Sequence, residues 1–304
     1  YLSWGVFICP SDVNEAIRYM ESLYKLNEDV WWTDPDIIKT WAQKTSENKR
    51  WFESLGGVTV LEQHGGQHKL PGVESIDLYR ARGMGPGMMR LLHEQISARG
   101  IRVIYNVSAT DLVMSANGEV AGVKADQHIE GGKKLEVQTR RAVILTSGGF
   151  EFDEEMKLQY LRVYPCYFLG SPANTGDGIR MALGAGSGLW HMNCVSAGFK
   201  MKFPEVPIAL SPAFGGKHWI SPSAAALPGF GRKGLQARHA NRLTAVAGYI
   251  VVDRYGKRYT NENHKGTSMY YELTLFDSQK LFYPRVPSYW VFDQKRMDDG
   301  SLLR

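Results

Sequence analysis

Three cysteines in 304 residues, Cys9, Cys166 and Cys194, lie far apart and form no CxxC pair. That spacing excludes a disulfide framework and a cysteine zinc site, and leaves small buried side chains as their reading. Long apolar runs are missing too. None approaches the roughly 18 to 20 residues needed to span a bilayer, and no stretch has the form of a signal peptide. There is no internal repeat and no low-complexity tract. The catalytic-serine pattern G-x-S-x-G does not occur, because "LTSGGF" has no glycine two residues ahead of Ser147, so serine hydrolysis is not expected.

Charge of one sign is also scarce. The net charge of +5 is spread along the chain, and its densest cluster, Arg232, Lys233, Arg238, His239 and Arg242, is interrupted by alanine and leucine, so no nucleic-acid partner is expected. No metal site is expected either. His64 and His68 have i,i+4 spacing, but Gly65 and Gly66 separate them and no carboxylate completes an H-E-x-x-H pattern.

What is present suits a soluble α/β or α+β enzyme: 43% hydrophobic residues, 22% charged residues and 32 glycines, with length enough for two domains. The chain opens at Tyr1 without methionine and closes on "DDGSLLR", and both ends are expected to be cuts through a longer polypeptide. Asp12 or Asn14 caps a first helix with Ile17, Met20 and Leu23 or Tyr24 on one stripe. A second helix is expected from Pro35 to the stop at Gly56 and Gly57, burying Ile38, Trp41 and Phe52, with Trp51 in the same aromatic stripe. "GMGPGMMRLLHEQISARG" reads as a glycine loop feeding a helix that Gly100 ends, followed by β-rich "IRVIYNVSATDLVMS" and a hairpin turn at Asn117-Gly118. "RRAVILTSGGF" reads as a buried parallel strand entering a glycine turn, and "DEEMKLQYLRV" as a helix with acid at its start. The proline-, glycine- and serine-rich stretch from Phe203 to Gly234 reads as an inserted domain or lid, and "GYIVVDRYGKRYTNEN" as two strands around "DRYGK".

One stretch, Gly229-x-Gly231-x-x-Gly234, matches the dinucleotide fingerprint in letters only, because "SPSAAALP" before it is a poor strand. "ILTSGGF" is more informative: an apolar strand running into two glycines lets main chain approach a flat or phosphorylated ligand. "NTGDG" then bares the backbone again and offers the Asp177 carboxylate. That acid either caps the helix "GIRMALGAG" or accepts hydrogen bonds from sugar-like hydroxyls.

In order, "GPGMMRLLHEQISARGIRVIYNVSATDLV", "NGEVAGV", "AVILTSGGFEFDEEM", "NTGDGIRMALGAGSGLWHM" and "GYIVVDRYGKRYTNEN" resemble the FAD-dependent flavoproteins of the fumarate reductase, succinate dehydrogenase and 3-ketosteroid dehydrogenase superfamily. The resemblance implies FAD as cofactor. By position, Ala109 would touch the adenine through its backbone, and Thr146, Gly148, Gly149 and Asp177 would lie along the dinucleotide. Ser3 and Gly5 would approach the isoalloxazine, with Trp4 in place of a usual glycine. The family's N-terminal GxGxxG strand and C-terminal flavin segment are not in these 304 residues, so the chain by itself is expected to hold FAD weakly or not at all. The dicarboxylate site is not preserved: Gly198 stands where a histidine would fall and Gly266 where an arginine would.

The resemblance implies an α/β fold, a Rossmann-like FAD-binding domain incomplete at both ends with an inserted α+β capping domain, divided as 1–195 and 196–304. The expected reaction moves hydride between flavin and an activated C–C bond beside a carbonyl or carboxyl group, in an enone reductase or a desaturase. The substrate partner would be a small unsaturated carbonyl or carboxylate compound, with the electron partner unassigned and the cytoplasm as the expected compartment, although relatives also occur in the periplasm. Tyr270 and Tyr271, with Lys265 beside them to lower a phenol pKa, and His264 are the catalytic candidates. Arg258 is a further candidate or else a structural partner of Glu262. The alternatives are a dicarboxylate reductase clamping its substrate with Arg238, His239 and Arg242, and a non-catalytic flavoprotein subunit.

Overall fold

The computed structural model describes residues 4–27, 30–31, 33–66, 68–129, 131–195, 200, 202–209, 249–262 and 269–294. The chain forms two compact units, 1–103 and 104–304. This division by packing is distinct from the functional division expected near residue 195.

The first unit packs helices on a small antiparallel sheet. Asp12 accepts the Glu15 N–H at 2.9 Å and so caps α1 (Val13–Tyr24). Its buried stripe is Ala16 and Tyr19, flanked by Ile17 and Met20, whereas Leu23 is exposed. The helix expected from Pro35 onward is two helices, α2 (Pro35–Thr45) and α3 (Asn48–Ser54). The break follows two hydroxyls that bond back to the preceding turn, Thr45 to the Trp41 carbonyl and Ser46 to the Gln43 carbonyl, both at 2.7 Å. The kinked register buries Phe52 and turns Trp51 out to 55% exposure, so Trp51 is not part of the core.

In the sheet, β5 (Leu78–Ala81) lies between β1 (Val6–Ile8) and β4 (Thr59–Gln63). Beyond β5, Gly83 in the left-handed region opens α4 (Met84–Ala98), and Gly100 ends it as expected.

In the second unit, β6 (Val107–Met114), β7 (Val120–Gln127) and β8 (Lys134–Gln138) form an antiparallel meander. Gly118 at φ +79° makes the expected hairpin turn. The segment 142–147, read as a buried parallel strand, is neither paired nor buried, and Ile144 is 83% exposed. A parallel strand needs neighbours on its edges, and among the described residues no strand lies beside this one. Ile104 and Tyr105 are exposed in the same way.

The helices α5 (Glu154–Tyr160) and α6 (Asp177–Gly184) follow. β9 (Tyr249–Val252) was expected to pair locally around "DRYGK". Only the Val252–Arg258 bridge forms there, although Asp253 Oδ1 does close the turn by accepting the N–H groups of Tyr255 and Lys257. The main partner of β9 is the distant β10 (Tyr289–Phe292), with Tyr249 stacked on Trp290 at 4.5 Å. The short α7 (Met269–Glu272) packs its Met269 into that cluster. Among the described residues no helix is long and apolar enough to cross a membrane.

Candidate functional site

The two glycine motifs singled out in the sequence meet in the second unit. The Gly176 N–H donates to the Gly149 carbonyl at 2.9 Å, and the Phe152 N–H to the Asn174 carbonyl at 3.0 Å. The approach is close enough to require glycine. A Cβ on Gly176, at φ +76°, would stand 2.5 Å from Met156 Sδ, and one on Gly148, at φ +87°, would stand 2.4 Å from Asn174 Oδ1. The start of α6 also lies on segment 145–147, since a Cβ on Gly178 would meet Ser147 Oγ at 2.2 Å.

A charged tie holds this arrangement. Asp153 caps α5 by accepting the Met156 N–H at 2.7 Å and pairs at 2.5 Å with Arg180 of α6, whose other arm donates to the Thr175 carbonyl at 2.6 Å. The Arg180 guanidinium, followed by the cap N–H, holds the Asp153 carboxyl below its ordinary range. "FDEE" announces the cap in sequence, but nothing local announces Arg180 as its partner.

Asp177 does not cap α6. Gly176 holds the N-cap position without a side-chain bond, while the Asp177 carboxylate is exposed and accepts the Thr175 hydroxyl at 3.0 Å. α6 lies against β6, where the register shifts between Ala109 and Asp111 and leaves Thr110 as an exposed bulge next to Ala109. Exposed main chain at Thr146 and Gly148, an exposed carboxylate and a strand bulge therefore share one region. Their chemistry fits the base and sugar portions of FAD: flat or close-lying groups against glycine backbone, and hydroxyls donated to Asp177.

Gly149 also borders a cleft of about 1220 Å³ walled by aromatic side chains, among them Tyr167, Phe203 and Tyr270. Tyr270 is buried, and its hydroxyl accepts the Arg162 N–H at 2.8 Å. Tyr271 beside it is half-open, with the Arg162 guanidinium 5.6 Å over its ring. Burial pushes both phenols up, opposite to the depression expected from a neighbouring cation. Arg258 is a structural partner: it forks onto Glu262 at 2.5 and 3.2 Å.

Gly5, at φ +68°, is buried in the first unit, where a Cβ would stand 2.4 Å from the Met84 carbonyl carbon, so its glycine requirement is met by packing within that unit. His64 binds the buried Asp77 at 2.6 Å, and among the described residues no group of His, Cys, Asp and Glu is arranged to hold a metal. Ser3, His264 and Lys265 lie outside the described residues. So do Gly198, Gly266, the Gly229-x-Gly231-x-x-Gly234 match and the Arg238, His239 and Arg242 cluster.

A family model described as "FAD binding domain" matches residues 20–274. The 3-oxosteroid 1-dehydrogenase of Mycobacterium tuberculosis (strain H37Rv) is 30% identical over 222 residues, covering 71% of this chain and 34% of that protein. The 4-oxocyclohexanecarboxylate 2-dehydrogenase of Sinomonas cyclohexanicum is 26% identical over 212 residues, covering 69% and 31%. The chain thus spans about a third of the length of the curated relatives it matches. Among solved structures, 3-ketosteroid delta1-dehydrogenase from Sterolibacterium denitrificans, in complex with 1,4-androstadiene-3,17-dione, aligns with a TM-score of 0.65 at 16% identity, over 86% of this chain and 56% of that one. That likeness shows a shared fold of mixed helix and strand.

Proposed function

This chain belongs to the FAD binding domain family, with FAD as its cofactor, and we propose that the protein it represents is a dehydrogenase acting on a C–C bond beside a ring ketone. The observation that carries the proposal is the glycine turn at 146–149, locked to the start of α6 and opening at Gly149 onto an aromatic cleft. The names of the relatives support a ring ketone, a steroid in one and a cyclohexanone in another. At about 1220 Å³ the cleft is large enough for either, since pockets for drug-sized ligands run from about 300 to 1,000 Å³.

Bound FAD supplies the hydride acceptor. The chain's part is to hold the ketone, exclude water and handle the proton lost from the neighbouring carbon. Tyr271, edge-on at 5.3 Å to the cleft-lining Tyr270, is assigned as the donor to the ketone oxygen: its hydroxyl is protonated at neutral pH, and withdrawing charge into that oxygen acidifies the adjacent C–H. His264, just upstream in sequence, is the proposed proton acceptor, with Lys265 next to it in sequence as the accompanying cation. Tyr270 is assigned a structural role, because its buried hydroxyl ties α7 to the Arg162 main chain at 2.8 Å.

Anaerobic mixing of the whole flavin-loaded protein with a 3-ketosteroid or a substituted cyclohexanone should bleach the flavin absorbance, while succinate should not. Bleaching by succinate alone would replace this reading with a dicarboxylate enzyme, and bleaching by none of them would leave an electron carrier. Tyr271→Phe should slow the bleaching by roughly 10²- to 10³-fold. Tyr270→Phe should leave the rate within a few-fold and lower stability by about 1 kcal/mol through the lost acceptor. The opposite ordering would reverse the two assignments.

A further inference from the structure

The cleft beside Gly149 contains charge that its surroundings do not answer. Four cations border it. Arg285 is paired with Glu272 at 2.9 Å, Arg254 donates to the Val286 carbonyl at 2.8 Å and lies 4.3 Å over the Phe282 ring, and Lys202 donates to the Phe203 carbonyl at 2.5 Å. Lys200 has no hydrogen-bond or ion-pair partner among the described residues, although it is half-buried and burial pushes its ammonium pKa down. Glu151 Oε2, on the same cleft, is buried and also without a partner, and the two groups do not pair with each other.

We propose that this cleft selects ring-bearing monocarboxylates, with Lys200 receiving the carboxylate. The assignment rests on the reading of the cleft as the place of the substrate. An ammonium withdrawn from water without a partner is destabilised, and an incoming carboxylate restores what it lost. A phosphate dianion fits less well. It calls for several converging donors, and here one free ammonium stands in a cleft that also carries the Glu151 carboxylate, whose charge repels an anion and keeps the ligand's acidic end toward Lys200. The apolar body of the ligand then lies against Tyr167, Phe203, Tyr289 and Trp290. Two open charges of opposite sign on one cleft favour one ligand orientation, with any hydroxyl hydrogen it carries directed to Glu151 Oε2.

Calorimetric titration of the whole flavin-loaded protein tests this with cyclohexanecarboxylate, benzoate, neutral cyclohexanone and inorganic phosphate as probes. The two carboxylates should bind, Lys200→Met should weaken them at least tenfold, Lys200→Arg should hold them within a few-fold, and cyclohexanone binding should not change. No carboxylate binding, equal weakening of cyclohexanone, an unchanged Lys200→Met, or phosphate binding as tightly as benzoate would each overturn it. Carboxylate binding that depends on Lys200 in a protein whose flavin no ring ketone bleaches would keep this inference and reject the dehydrogenase reading.

Discussion

Replacing Arg258 with methionine should lower the urea midpoint of unfolding, and by more than Glu262→Gln does, because it strands a buried carboxylate. The asymmetry lies in exposure: the Glu262 side chain is 4% exposed and that of Arg258 is 55%. Without Arg258, Glu262 keeps backbone donors but no cation, the Val251 N–H donating to Oε1 at 2.8 Å beside the β9 cluster. Glu262→Gln, by contrast, retains an oxygen for Val251 and leaves Arg258 to water, so it should cost only about 1–2 kcal/mol. Urea midpoints compared at constant slope measure both.

The pH dependence separates this account from a simple packing defect. Burial raises the Glu262 pKa, but the Arg258 fork and the backbone donors outweigh it and hold the group below its ordinary value of 4.5. A carboxylate with a depressed folded pKa contributes stability that is present above the unfolded value and lost as pH falls through the folded one. In Arg258→Met burial prevails and the sign reverses, so the deficit against the parent protein should be largest near neutral pH and shrink below about pH 5. A deficit that stays constant over that range would mean that packing, not the stranded charge, destabilises the variant.

Sequence reading succeeded where chemistry acts within a few residues. The Asp12 cap, the Gly100 stop, the Asn117-Gly118 turn and the acid-rich start of α5 are each decided by backbone groups at most four positions away. The flavoprotein family was legible for a related reason: "ILTSGGF" followed by "NTGDG" records a close approach that only glycine allows, and the Gly149–Gly176 bond is that approach. Pairings over longer distance were not legible. Nothing in "GYIVVDRYGK" says that Tyr249 will stack on Trp290 rather than pair across the turn, because the choice depends on which strand arrives. Segment 142–147 reads as buried for its apolar content, yet burial is a property of its neighbours. The same limit hid Arg180 and Lys200: one is defined by a partner 27 residues away and the other by having none among the described residues, and neither leaves a local pattern.

Gly176→Ala should cost the protein its flavin, with retention after gel filtration falling at least tenfold. Two penalties coincide at this position. The left-handed backbone at φ +76° is disfavoured by about 1–2 kcal/mol for a residue with a Cβ. The new methyl would also fall 2.5 Å from Met156 Sδ and 3.3 Å from Phe150 Cβ, an overpacking strain of about 1–3 kcal/mol. Met156 is buried and Phe150 closes the other side, so relief is expected to move the start of α6 away from Gly149 and break the bond that joins the two turns, shifting Asp177 and the bared main chain together. Gly184 supplies the control within the same helix: a Cβ there meets nothing within 4 Å, so Gly184→Ala should be neutral or stabilise by up to about 1 kcal/mol and keep its flavin. The flavin-to-protein absorbance ratio of the two variants, measured beside their urea midpoints, distinguishes displaced turns from a general loss of folding. A Gly176→Ala protein that is destabilised yet retains flavin like its parent would mean that FAD does not depend on the joined turns.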